Sequence, residues 1–272
     1  LTKWKQRLTL VGAAMQAWLI RAAARCDPST PEGKKELNRL AFLAFIAAGG
    51  EDSQKRGTWL HALSEYRDRG EELPPHSDED AADLAAYTEA TQELFTAHIE
   101  TPLVLNEYGI AGTADRLVWT ELCYPGEGPA GWVVADLKTG SIDLAALKIA
   151  MQMAAYSRAR RYDPLRWLPE NPSEAEIAAW RQREFTEAEA AEAYLPTPEI
   201  NPRRGLVIHL PAGSGTCTLH WIDLQTGWDA LATAADVRSL RGRRNLLTPV
   251  ETPGCTTGPR ALLSTLIKSE LL

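Results

Sequence analysis

Two runs of β-forming residues, 112–120 and 131–138, flank the turn formers Pro125-Gly126 and Gly128-Pro129, and they limit what this chain can fold into more than any other feature. β-branched and aromatic residues on either side of such a turn read as a hairpin. With the turn centred near Gly126, residues whose numbers sum to about 252 stand opposite each other. Asp115 then falls opposite position 137, beside Asp136. Asp136 and Lys138 are two apart on one strand, so their side chains share a face. The hairpin thus gathers two carboxylates and one ammonium at one end of a sheet.

Close carboxylates repel unless something compensates. A hard divalent cation does so through oxygen ligands, and Mg²⁺ typically takes one or two carboxylates while keeping waters or substrate phosphate in its other positions. Such an ion polarises a phosphoryl oxygen and lowers the pKa of a bound water. Lys138 would orient the attacking water or offset charge that develops on the phosphate. An Asp-x-Lys alone equally describes a surface pair on an edge strand. Asp115 at hairpin distance is what sets this one apart.

Upstream, helical periodicity predicts helices over 4–25, 34–48, 53–69 and 78–99, broken at Asp27-Pro28, Gly49-Gly50 and Pro74-Pro75. A strand over 102–110 precedes the hairpin, which makes a three-strand meander. A helix follows over 145–161. The Pro-punctuated stretch 163–203 encloses an acidic helix at 174–194. Strands at 204–211 and 215–223, joined by Ala212-Gly213-Ser214, lead through a turn at Gln225-Thr226-Gly227 to a helix over 228–241. The expected fold is α/β, a mixed sheet flanked by helices with an N-terminal helical lobe. It reads as one domain over 1–245: a lobe 1–100, the hairpin and helix 101–162, an insert 163–203, and closing strands and helix 204–245, followed by a tail 246–272.

A net charge of −7 argues against a nucleic-acid partner, because nonspecific affinity for DNA comes from cationic contacts to phosphate. The distribution argues the other way. Arginines cluster at 158, 160, 161 and 166, at 203 and 204, and at 238, 241, 243 and 244, while acid concentrates in 71–100 and 170–199. The four cysteines, Cys26, Cys123, Cys217 and Cys255, form no Cys-x-x-Cys pair, so reduced thiols in a cytoplasmic protein are expected. Lys3, Lys5 and Arg7 before the apolar run Leu8–Ile20 loosely resemble a signal peptide, but Gln16 interrupts the run and its periodicity fits an amphipathic helix. No run of about 18 apolar residues exists to span a membrane.

Four motifs in order carry a specific resemblance. His61 lies upstream, Gly112-Thr113-Ala114-Asp115 follows, then Asp136-Leu137-Lys138, then Gln152-Met153-Ala154-Ala155-Tyr156 on the next helix. This order resembles the PD-(D/E)xK nucleases, and among them the RecB-like branch with the CRISPR-associated RecB-like and phage exonucleases. The resemblance covers about 55–160 by motif and implies a restriction-endonuclease-like core. It implies that Asp115, Asp136, His61 and the backbone carbonyl of Leu137 hold Mg²⁺ or Mn²⁺, the imidazole favouring Mn²⁺. Lys138 would be the catalytic lysine, and Gln152 and Tyr156, one turn apart on a helix, would contact the DNA backbone or orient site groups.

The implied activity is metal-dependent hydrolysis of DNA phosphodiester bonds, exonucleolytic and suited to phage-type recombination. The implied partners are DNA and a recombination or annealing protein, in the cytoplasm of a bacterial host if the gene is a phage's. An endonuclease of the same superfamily and a non-catalytic DNA-binding module on this fold are the alternatives. The chain departs from the pattern in having Asp136 where many members carry Glu, and in lacking the late cysteine cluster of the iron–sulfur relatives. It carries neither a helicase P-loop nor the Gly-x-Ser-x-Gly elbow of serine hydrolases.

Overall fold

A computed structural model describes residues 3–169, 171–241 and 243–244. The expected tail 246–272, with Cys255, lies outside the described residues. In chain order the elements are α1 (Lys3–Met15), α2 (Ala17–Ala23), α3 (Pro31–Ala47), α4 (Gly50–Arg69), α5 (Asp78–Ala90), β1 (Leu94–Leu105), β2 (Ile110–Cys123), β3 (Pro129–Lys138), α6 (Ala146–Arg158), β4 (Arg160–Arg161), α7 (Glu174–Gln182), α8 (Glu187–Glu192), β5 (Arg204–His209), β6 (Thr218–Asp223) and α9 (Leu224–Arg241). The fold is α/β with a mixed sheet, as expected. The strand order is β4-β1-β2-β3-β5-β6. All neighbours are antiparallel except β3 and β5, which run parallel. Contacts divide the chain at Ala232/Thr233, inside α9, and the sheet belongs to the first unit.

The sheet is covered on both faces because its central strands carry apolar residues on both. On one face Val118, Val133, Ala135, Leu137, Leu206 and Ile208 pack against Leu60 and Leu63 of α4 and Leu84 and Tyr87 of α5. On the other, Leu117, Val134 and Val207 pack against Ile149, Met153 and Ala154 of α6 and Leu224 of α9. Each fully buried Val, Leu, Ile or Met among them contributes about 1.5–3 kcal/mol relative to exposure. Glycine sets how closely α9 approaches α6: a Cβ on Gly227 would stand 2.3 Å from the Ala150 carbonyl oxygen.

Local chemistry delimits the two helices of the first face. α4 starts after Gly49 and stops at Gly70, both in the left-handed region at φ 72° and 68°, with Glu51 and Asp52 in its first turn and Arg67 and Arg69 in its last. α5 opens with a capping box in which the Ser77 hydroxyl accepts from the Asp80 amide and the Asp80 carboxylate accepts from the Ser77 amide.

Several expected elements are corrected. Residues 94–99, expected as the end of a helix, are strand: α5 stops at Ala90, and β1 pairs with β2 from Leu94↔Thr120 onward. Full-length pairing along β2 outweighs the helix propensity of that short end, so the helical region ends before residue 100. The helix expected over 4–25 is broken at Gln16, whose backbone is not helical. The expected 174–194 helix is two, because Thr186 with Glu189 forms a second capping box after the one at Ser173 and Glu176. The helix expected to run to 161 stops at Arg158, and Arg160–Arg161 instead pair with β1. The expected turn at 225–227 is the first turn of α9, where the Asp223 carboxylate accepts from the Gln225 and Thr226 amides. The hairpin register, Arg116↔Ala135 through Thr120↔Gly131, is one residue tighter than expected. Continued one step, it sets Asp115 level with Asp136 itself.

One buried cation ties this face together. Arg116 on β2 is 1 % exposed. Its guanidinium donates to the carboxylate of Asp68 and, at 2.7 Å, to the hydroxyl of Ser64, both on α4. It also lies 5.4 Å from the centre of the Tyr87 ring of α5, whose hydroxyl donates to Asp68 at 2.8 Å. Removing one partner of a buried pair strands the other charge. Arg116→Met should lower the unfolding free energy by about 3–5 kcal/mol in guanidinium titrations. The double variant Arg116→Met/Asp68→Leu should recover part of that loss; a single variant as stable as wild type would contradict this role.

Candidate metal centre

His61, Ser64, Glu65 and Asp68 recur at three- and four-residue steps and so share one face of α4. Arg116 binds Asp68 and Ser64, and the Ser64 hydroxyl donates to the His61 carbonyl at 2.7 Å. The same clasp therefore holds His61 over β2, where its Nδ1 stands 3.5 Å from Oδ2 of Asp115. Gly57, one turn earlier on α4, allows the approach to the end of β3: a Cβ there would lie 2.8 Å from Oγ1 of Thr139.

The two strand carboxylates have contrasting surroundings. Oδ2 of Asp115 accepts the Leu137 amide at 2.9 Å, so the residue expected to lend a carbonyl also orients Asp115 through its N–H. Asp136 is 1 % exposed. It forms an ion pair with Lys138, and among the described residues no other group donates to either of its oxygens. Burial, then the charge of Asp115, pushes its carboxyl up to about 6 against the pull of Lys138. A buried carboxylate with its lone pairs unused is costly, and a bound cation relieves that cost. The Lys138 side chain is 27 % exposed and reaches from the covered sheet towards solvent.

His61 is held below the usual imidazole value, chiefly by burial and further by the cations Arg116 and Lys138, with Asp115 and Glu65 opposing. A neutral imidazole is the form that ligates metal. Glu100 completes the cluster and was not foreseen. His61, Glu100 and Asp115 each offer a ligand atom, all within 4.8 Å of one another. Burial, then Asp115 and Glu65, raises the Glu100 carboxyl. Its φ of 46° is the one left-handed value at a non-glycine residue among the described residues. Strained backbone at a polar centre is held by its surroundings rather than by local preference. The segment 94–99 read as helix, which hid the pairing of β1 with β2 that brings Glu100 level with Asp115.

The remaining expected residues are placed less directly. Gln152 and Tyr156 lie one turn apart on α6, Gln152 Nε2 being 3.5 Å from the Tyr156 hydroxyl. Tyr156 also lies over Gly112, where a Cβ would come within 2.5 Å of that hydroxyl. The glycine and the tyrosine of two separate motifs thus share one contact. Three arginines of the first two clusters are engaged in packing. Arg158 stacks on Trp228 at 4.4 Å, Arg160 on Tyr194 at 4.1 Å, and Arg204 on Tyr124 at 3.9 Å while pairing with Glu127.

Asp136 is not one of the three residues whose ligand atoms converge, so the ready set is one imidazole and two carboxylates; such donors suit Mg²⁺ or Mn²⁺, and the imidazole inclines the set towards Mn²⁺. No protein-family model matches the chain, and no curated protein matches it significantly. Among the described residues no helix is long and apolar enough to cross a membrane.

Calorimetry with and without metal tests the centre. Mn²⁺ at a hundred times its dissociation constant should add about 2.7 kcal/mol of stability and raise the Tm; Asp115→Ala should abolish the rise. Asp136→Asn should raise the Tm of the metal-free protein by removing a buried charge, yet lose the response to Mn²⁺. A wild-type Tm unmoved by Mn²⁺ and Mg²⁺ would rule the centre out.

Proposed function

We propose that this chain is a divalent-metal-dependent DNA nuclease of the PD-(D/E)xK type, related to the RecB-like exonucleases and acting from DNA ends. The observation that carries this reading is Asp136: a buried carboxylate beside Asp115 whose one polar partner among the described residues is Lys138. Stability alone does not favour that arrangement. A phosphodiester hydrolase needs it, because ligand oxygens must be free and an ammonium must stand next to them.

Bound Mg²⁺ or Mn²⁺ would supply Lewis acidity towards a phosphoryl oxygen and a lowered pKa for water. His61, Glu100 and Asp115, whose ligand atoms already converge, would hold it together with Asp136, and the Leu137 amide would keep Asp115 oriented. Lys138 would leave Asp136 for a non-bridging phosphate oxygen or the incoming water, and so offset charge that grows in the transition state. Rigid strands carry Asp115, Asp136 and Lys138, which suits positioning catalysis. Tyr156, set over Gly112 on β2, would contact the DNA backbone with Gln152.

The test uses the purified chain with end-labelled linear DNA and closed circular DNA, in Mn²⁺, Mg²⁺ or EDTA. Metal-dependent loss of the linear DNA that spares the circle is expected, and the end label reports polarity. Lys138→Ala should slow cleavage by about 10²–10³-fold, and Asp115→Ala and Asp136→Ala should abolish it with the fold intact. Cutting of the circle would mean an endonuclease. DNA binding without cleavage would mean a binding module, or a nuclease that needs a recombination or annealing partner. Wild-type rates from Lys138→Ala would reject the catalytic assignment.

A further inference from the structure

Asp136 and Val207 stand opposite each other on the parallel strands β3 and β5, as do Lys138 and His209 one step further on. Residues so paired share a face and lie about 4.8 Å apart. Val207 is also part of the wall of a recess of about 140 Å³ between the start of α6 and strands β5 and β6. Ile149, Val207 and Ile222 give this recess an apolar lining, Ala146 lies at the first turn of α6, and Asp143 and His220 supply polar groups. An apolar hollow thus begins one strand spacing from the acidic centre.

Two imidazoles stand on the same side. His220 pairs with Val207 across the sheet, and its ring lies 5.9 Å from that of His209 at an interplanar angle of 53°. Each ring is tethered: Nε2 of His209 lies 3.1 Å from the Gly140 carbonyl oxygen, and Nε2 of His220 lies 2.9 Å from the Thr218 hydroxyl. A small apolar recess lined also by a tethered imidazole and a carboxylate suits one heteroaromatic ring that carries hydrogen-bonding groups. It does not suit a phosphate, which the Asp143 carboxylate would repel.

We propose that this recess receives the unpaired nucleobase of a nucleotide next to the phosphate that Lys138 and a cation on the carboxylates would hold. The inference rests on the nuclease reading and deepens it. The base enters over Val207 and Ile149, His220 stacks on it or bonds its edge, and Asp143 accepts from an exocyclic amine. Room for one ring and no base pair makes the substrate at this centre a single strand, or a duplex end that has frayed.

Single-stranded oligonucleotides of one length, each with one abasic nucleotide at a successive position, test this by fluorescence anisotropy in Ca²⁺ with the full chain. The wild type should lose about tenfold in affinity when one particular position is abasic, and much less elsewhere. Ala146→Trp, which fills the recess, and His220→Ala should bind the intact strand more weakly and show no such position. Circular dichroism and the Mn²⁺-induced rise in Tm should match wild type in both variants. A flat wild-type profile, or a dip that survives in both variants, overturns the recess and leaves the nuclease reading standing. Failure of every oligonucleotide and duplex to bind or be cut overturns both.

Discussion

The guanidinium of Arg116 is the interaction on which the rest of this structure depends. It lies under α4 and α5 at the middle of the sheet, a charge that folding would expel were it not shared among Asp68, Ser64 and the face of Tyr87. Hydrophobic contact alone would hold those helices on the sheet while leaving them free to slide, because apolar burial is non-directional. A planar donor fork is directional. It determines which turn of α4 lies over β2, and so determines where His61 meets Asp115.

That arrangement puts a structural residue and a functional one side by side. Arg116 is satisfied by its neighbours, whereas Asp136 is not. The protein spends stability where chemistry would need it: an imidazole from α4 converges with carboxylates from β1 and β2, Asp136 on β3 carries an ammonium beside them, and a backbone held at an unfavourable φ brings in Glu100. A cluster of this kind persists only because the apolar contacts on both sheet faces are extensive enough to tolerate it. The acidic net charge of the chain is no obstacle to an anionic substrate if a bound cation inverts the sign locally.

Much of this was legible in the sequence, for identifiable reasons. The hairpin that joins Asp115 to Asp136 is local, with turn residues between alternating runs, so its register could be read to within one residue. The i, i+4 relation of Gln152 and Tyr156 is likewise a property of one helix. What could not be read depended on distant partners. Leu94 to Ile99 carry no strong intrinsic preference and became strand because β2 was available to pair, and Glu100 went unseen with them. Gly112 looked like a motif letter until Tyr156 was found over it. The arginines at 158, 160 and 204 looked like a surface for DNA, but Trp228, Tyr194 and Tyr124 stack on them, and nothing in the linear order announces those pairs.

The single parallel pairing in the sheet, β3 with β5, has a consequence for how the molecule assembles. Hairpin neighbours such as β2 and β3 meet after closing a short loop, whereas β3 and β5 are separated along the chain by α6 and the rest of 139–203. Closing so long a loop costs more entropy than closing a hairpin, and pairings of this kind slow folding. Until β5 arrives, one flank of Asp136 is open to water and its charge is hydrated. Pairing of β5 with β3 therefore does two things at once: it joins the β5–β6 pair to the meander, and it dries one flank of the carboxylate.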